Sequence, residues 1–135
     1  MGKKIMVVDD DPVHTIVLEK QLEETGLVDM TMVFHQSEEA LRFLRDCTVA
    51  ELPDVLLIDI NMPDMNGWDF LHNYADLPHR NNMTVYVVSS STARREKARA
   101  LADPYVSGSL HKPVTSQQLI GILALPSENE KKDFF

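Results

Sequence analysis

Three short apolar runs without polar alternation constrain this chain most: residues 4–8 (KIMVV), 54–58 (DVLLI) and 84–88 (TVYVV). A strand that is apolar on both sides must be covered on both faces, which is the pattern of a parallel sheet sandwiched between helices. Residues 30–34 and 106–110 are weaker strand candidates. Between the strands lie segments of helical period. Asp11 and Pro12 offer an N-cap and first-turn pair, and Val13, Ile16, Val17 and Leu22 are expected to supply the apolar face before Gly26 ends the run. Ser37 is expected to cap a second helix carrying Leu41 and Leu44. A third starts near Gly67 with Phe70, Leu71 and Tyr74. A fourth covers 93–102, and a fifth follows Ser116 with Leu119, Ile120 and Leu123. Alternating strands and helices of this length imply right-handed crossovers and an α/β, doubly wound, five-stranded parallel sheet with helices on both faces.

The 135 residues suffice for one buried core, so residues 1–125 are expected to form one domain and 126–135 a polar, frayed or loosely docked tail. One cysteine, Cys47, leaves no internal disulfide, and no signal sequence or membrane-length apolar run is present, which points to a cytoplasmic location. A formal net charge of -8 argues against direct nucleic-acid binding or membrane insertion.

Acids finish the strands. Asp9 and Asp10 follow the first, and Asp59 ends the third. In the doubly wound order 2-1-3-4-5, strands 1 and 3 are neighbours at the crevice where ligands bind. Two like charges about 5 Å apart repel by roughly 3 kcal/mol at an effective dielectric near 20. An oxygen-seeking divalent cation relieves this, and Mg²⁺ suits three carboxylates completed by a carbonyl and waters. Asp11 is read as a helix cap only. The five histidines, His14, His35, His72, His79 and His111, lack zinc-type spacing and are read as surface or packing residues. Strand 4 runs out in Ser89, Ser90, Ser91 and Thr92, and strand 5 is followed by Lys112-Pro113. Carboxylates, a hydroxyl and an ammonium around one metal can handle a phosphoryl group: cations neutralise its oxygens, the hydroxyl donates and a carboxylate attacks.

The segments "VVDDD" (7–11), "LLIDINMPDMNGWDFL" (56–71), "VVSSS" (87–91) and "HKP" (111–113) together resemble the receiver domain of two-component response regulators, over about residues 4–125. The resemblance implies the flavodoxin-like fold, whose 2-1-3-4-5 order is taken from that precedent. It implies that Asp59 accepts a phosphoryl group from a phosphohistidine on a sensor histidine kinase or histidine phosphotransfer protein. Asp10 and Asp59 would bind Mg²⁺, with Mn²⁺ as a substitute, the backbone carbonyl of Asn61 would add a ligand, and Asp9 would act mostly through water. Lys112 would pair with phosphoryl oxygens. Ser89 would be the switch hydroxyl, with Ser90 the alternative when counting back from Lys112. Such a domain is a phosphoacceptor that assists its own phosphorylation and dephosphorylation, not a turnover enzyme. The length leaves no room for an output domain, so a stand-alone switch or relay carrier is expected.

One departure concerns the signal. Ser109 stands where many receivers carry a mobile aromatic. Asn61 and Ser91 occupy positions that tune phosphoryl lifetime. Arg94, Arg95, Lys97 and Arg99 make helix 4 basic, so the helix 4/strand 5/helix 5 face is a candidate surface for a downstream protein. Trp68 is expected to pack beside the site. Other readings are weaker. A haloacid-dehalogenase-type phosphatase needs an acid two residues after its nucleophile, where this chain has Asn61. A flavin or phosphate binder of the same fold would be repelled by three acids after strand 1. A non-phosphorylated interaction module, a degenerate receiver, is the remaining alternative, but no expected chemical part is missing.

Overall fold

The computed structural model describes residues 2–78, 82–90, 94–124 and 132–134; for 94–97 and 132–134 it describes the backbone only. The strands are β1 (Lys3–Val8), β2 (Val28–Phe34), β3 (Val55–Asp59), β4 (Thr84–Ser89), β5 (Gly108–His111) and β6 (Lys132–Phe134). The helices are α1 (Pro12–Glu24), α2 (Ser37–Asp46), α3 (Gly67–Tyr74), α4 (Arg94–Ala102) and α5 (Ser116–Ala124). All strand pairs are parallel and the order is β2-β1-β3-β4-β5-β6, so the expected 2-1-3-4-5 sheet is present with one strand added. Of the two expectations for the tail, frayed or loosely docked, the described residues 132–134 fit the second. Within the tail, Lys132, Asp133 and Phe134 pair with Gly108, Ser109 and Leu110 along the open edge of β5.

Two apolar layers flank the sheet. Alternate strand residues Met6, Val8, Leu56, Ile58, Val85 and Val87 pack under α2, α3 and α4. Their neighbours Ile5, Val7, Leu57, Val88 and Leu110 pack under α1 and α5. The central strands are buried on both sides, as their unbroken apolar runs require.

α1 meets the sheet with only part of its expected face: Leu22 is buried, but Val13, Ile16 and Val17 are not. Asp11 caps it, accepting from the N–H groups of Val13 and His14 at 3.0 and 3.2 Å. That cap sets a phase in which Thr15, Leu18 and Leu22 are buried, while Val13, Ile16 and Val17 are 69%, 66% and 50% exposed. The helix carries two apolar stripes at compatible spacing, and only the Leu18/Leu22 stripe meets the sheet. α5 shows a smaller version: Ile122 joins Leu119 and Leu123 inside, and Ile120 faces out. α2 also corrects a detail. Ser37 begins the helix but does not cap it; its hydroxyl donates to the Met65 carbonyl at 2.8 Å. The cap is Asp64, whose carboxylate accepts from the N–H groups of Ser37 and Glu38 at 3.4 and 3.2 Å. The loop after β3 is thereby fastened to α2. After α1, Gly26 adopts φ 71°, a conformation a side chain resists, and turns the chain into β2.

Candidate functional site

β1 and β3 are adjacent, with Val8 level with Ile58, so the residues just beyond them emerge side by side. Asp9, Asp10 and Asp59 each offer a carboxylate oxygen, and these oxygens lie within 4.8 Å of one another. Asp9 and Asp59 are buried, whereas Asp10 is exposed. β5 brings Lys112 to the same place, its backbone N–H donating to the Ser89 carbonyl at 2.8 Å. The Lys112 ammonium lies 2.9 Å from Asp59 Oδ2 and 3.1 Å from Asp9 Oδ2. Four residues read from three strand ends, those of β1, β3 and β5, therefore meet.

The acids are held by the backbone around them. Asn61 N–H donates to Asp59 Oδ1 at 2.9 Å, and Asp11 N–H donates to Asp9 Oδ1 at the same distance. The loop after Asp59 folds back tightly, with Gly67 N–H on the Ile60 carbonyl at 2.7 Å. A Cβ at Gly67 would stand 2.7 Å from Ile60 Cα and 3.1 Å from the Asp59 carbonyl, so glycine alone lets α3 start this close to the acid.

Two acids share one ammonium. Burial pushes Asp59 above the ordinary carboxylate value, and Asp9 adds to this, against the hydrogen bond from Asn61 and the pull of Lys112. At Asp9, burial also acts upward, but hydrogen bonds from His14, Asp11 N–H and Lys112, together with the Lys112 charge, outweigh it and hold the carboxyl at about 2. Lys112 is raised: burial opposes its charge, but the two carboxylates more than compensate. The pair ionises in sequence, Asp9 first. A hard divalent cation fits this donor set, which is all carboxylate oxygen and carries more negative charge than Lys112 can balance.

Ser89 ends β4 and is fully buried, while Ser90, the next residue, is exposed. Ser109 is fully buried in β5, and among the described residues its hydroxyl finds no hydrogen-bond partner. Tyr105 packs against Tyr74, with ring centroids 6.1 Å apart. Trp68 is half-buried at the start of α3, and the Arg99 guanidinium stacks 4.3 Å from its ring centre. Arg99 thus already has an aromatic partner. Ser91, His79 and the side chains of Arg94, Arg95 and Lys97 lie outside the described residues.

Sequence reasoning missed two contacts at the site. His14, read as a surface or packing residue, places Nδ1 2.6 Å from Asp9 Oδ2. His35 is nearby too, with Nδ1 2.9 Å from the Asp9 carbonyl. No spacing rule signals either contact, because each depends on how α1 and β2 leave the sheet.

Comparison with known proteins agrees with this geometry. The family model for the response regulator receiver domain matches residues 5–124. An uncharacterised 14.6 kDa protein of Leptolyngbya boryana is 29% identical over 88% of this chain and 86% of its own length. The two-component response regulator ARR11 of Arabidopsis thaliana is 37% identical over 58% of this chain, and the match spans only 15% of that protein. Among solved structures, a two-component response regulator from Cytophaga hutchinsonii superposes with a TM-score of 0.83 at 24% identity, covering 92% of this chain and 98% of its own.

Proposed function

The chain belongs to the response regulator receiver family, and from that premise we propose that Asp59 is its phosphoacceptor, taking a phosphoryl group from a phosphohistidine on a sensor histidine kinase or histidine phosphotransfer protein. The observation that carries this reading is the Lys112 ammonium, 2.9 Å from Asp59 Oδ2, facing a cluster of three acids. Receiver domains use Mg²⁺ at such an acidic pocket. Here Asp10, Asp59 and the Asn61 carbonyl would hold it, with Asp9 acting mostly through water, and Mn²⁺ could take its place. When bound, the ion supplies charge neutralisation for carboxylates and phosphoryl oxygens.

The chain's own groups do the rest. An Asp59 oxygen forms a bond to phosphorus as the phosphorus–nitrogen bond breaks, and the departing imidazole keeps the nitrogen electron pair. Lys112 leaves Asp59 for a phosphoryl oxygen, and the Ser89 hydroxyl donates to another; Ser90 is the reserve. The same groups would assist hydrolysis of the aspartyl phosphate. The phosphorylated protein then acts through partner binding or by passing the group along a relay.

The exposed Val13, Ile16 and Val17 lie on the first turns of α1, the helix that follows Asp9 and Asp10 in the chain, and suit an apolar surface of the phosphohistidine donor. The downstream protein is assigned to the α4/β5/α5 face, with Arg94, Arg95, Lys97 and Arg99 on its helix 4 side. The functional unit is taken as 1–125, with 126–135 as an appendage. We assign the protein to the cytoplasm, and its net charge of -8 speaks against direct nucleic-acid binding; no helix among the described residues is long and apolar enough to cross a membrane.

The test is intact mass after incubation with acetyl phosphate and Mg²⁺. Wild type should gain one phosphoryl group and Asp59→Asn none. Equal gain in both, or gain in neither, would overturn the assignment.

A further inference from the structure

His14 has no role in the reading above, yet it touches one of its acids. Its Nδ1 lies 2.6 Å from Asp9 Oδ2, and its side chain is only 14% exposed. Lys112 shares that oxygen at 3.1 Å, and the other Asp9 oxygen is taken by Asp11 N–H at 2.9 Å. Lys112 itself is divided between Asp9 and Asp59.

We infer that His14 is a positioning residue of the phosphoacceptor site: it donates Nδ1–H to Asp9 Oδ2, fixing that carboxylate and leaving Lys112 able to pass from Asp9 to an incoming phosphoryl group. The inference rests on the receiver reading. Asp9 is 2% exposed, so bulk water does not freely replace a departing side-chain donor there. Were Lys112 the sole side-chain partner of Oδ2, moving it onto the phosphoryl group would leave that buried oxygen without a side-chain donor to hold its orientation. With His14 on the same oxygen, Asp9 keeps one strong donor throughout the transfer, and its oxygens stay oriented toward the space between Asp10 and Asp59. Both the cation and the Nδ1–H tautomer can supply the hydrogen bond, so the role does not depend on the charge of the ring.

Two substitutions separate the hydrogen bond from ring packing. His14→Phe keeps a ring and loses the donor. His14→Asn loses the ring, but its amide nitrogen branches from Cγ as Nδ1 does and can donate to Asp9. Two quantities are measured: the Mg²⁺ dissociation constant, followed by fluorescence of Trp68, the chain's sole tryptophan, and the initial rate of phosphoryl uptake from acetyl phosphate. His14→Phe should weaken Mg²⁺ binding and slow uptake, each about 10-fold, the size expected when a partner that orients a metal ligand is removed. His14→Asn should restore both. If His14→Phe matches wild type in both measurements, or if His14→Asn is as impaired as His14→Phe, the inference falls. Uptake by wild type with unchanged His14 variants overturns this inference alone; no uptake by wild type overturns the receiver reading as well.

Discussion

Asp59 and Asp9 stand in nearly the same surroundings and are driven in opposite directions. Asp59 is raised, chiefly by burial, so the folded protein holds its proton at a pH where the unfolded chain has released it. Ionising Asp59 therefore costs stability progressively as pH rises above 3.8. At pH 7 without metal, Asp59→Asn should raise stability by about 1 kcal/mol, a few degrees in thermal midpoint. Thermal denaturation checks it, and a lowered midpoint would mean the Lys112 contact outweighs the crowding of the acids. Added Mg²⁺ should raise the midpoint of wild type more than that of Asp59→Asn, since one carboxylate of the cluster is gone. Asp9 has the opposite sign. Its carboxyl is held at about 2, so its contribution is present above 3.8 and fades as pH falls from 3.8 towards about 2. Asp9→Asn should cost about 1–3 kcal/mol at pH 7, and the gap in urea denaturation should narrow below pH 4. Asp9, Asp10, Asp59 and Lys112 were legible because each follows an apolar run whose direction and neighbours the fold class dictates. His14 was not, since its meeting with Asp9 is decided by the sharp turn from β1 into α1, which no residue pattern reports.

Helix α1 shows what periodicity can and cannot determine. Spacing at three and four residues identifies a helix, but Val13/Ile16/Val17 and Leu18/Leu22 satisfy it equally, and only the contact with the sheet selects between them. Leu18 is 1% exposed, so Leu18→Ala should cost about 2–5 kcal/mol. Ile16→Glu should leave stability within about 0.5 kcal/mol. If the donor docks on this stripe, Ile16→Glu should slow transfer from a phosphohistidine protein while uptake from acetyl phosphate is unchanged. An equal effect on both would remove α1 from the donor interface. The start of α3 invites a parallel test. Arg99→Glu removes the stacking on Trp68, worth about 0.5–1 kcal/mol at an exposed site, and should shift Trp68 emission. Any loss of partner binding in that variant must be read against this change, because Arg99 links α4 to α3 as well as facing outward.

At the scale of the whole sheet, β6 is the exception. β1 steps to β2 in one direction, with α1 on the face that α1 and α5 share. β5 steps to β6 in the opposite direction, with α5 on that same face, so these two crossovers have opposite hands. Right-handed connection is the rule for parallel strands, because a right-twisted strand leads its helix back onto the sheet only that way. The five inner strands obey it, in keeping with the parallel, helix-covered sheet that the alternation of elements implies, while their order came from the family resemblance. The sixth could not be anticipated: its three residues sit in a polar tail, and the hand they impose is the disfavoured one. β6 is thus an edge addition to a sheet whose two apolar layers are already closed without it. Removing 126–135 should lower stability by less than about 1 kcal/mol and leave phosphoryl uptake unchanged. It should also bare the β6-facing edge of β5, which hydrogen exchange would register as lost protection at the amides of Gly108 and Leu110, while Ser109, whose N–H faces β4, keeps its protection. A cooperative collapse of the truncated chain would show instead that the tail belongs to the folding unit, and that the left-handed step is compensated by contacts stronger than three paired residues.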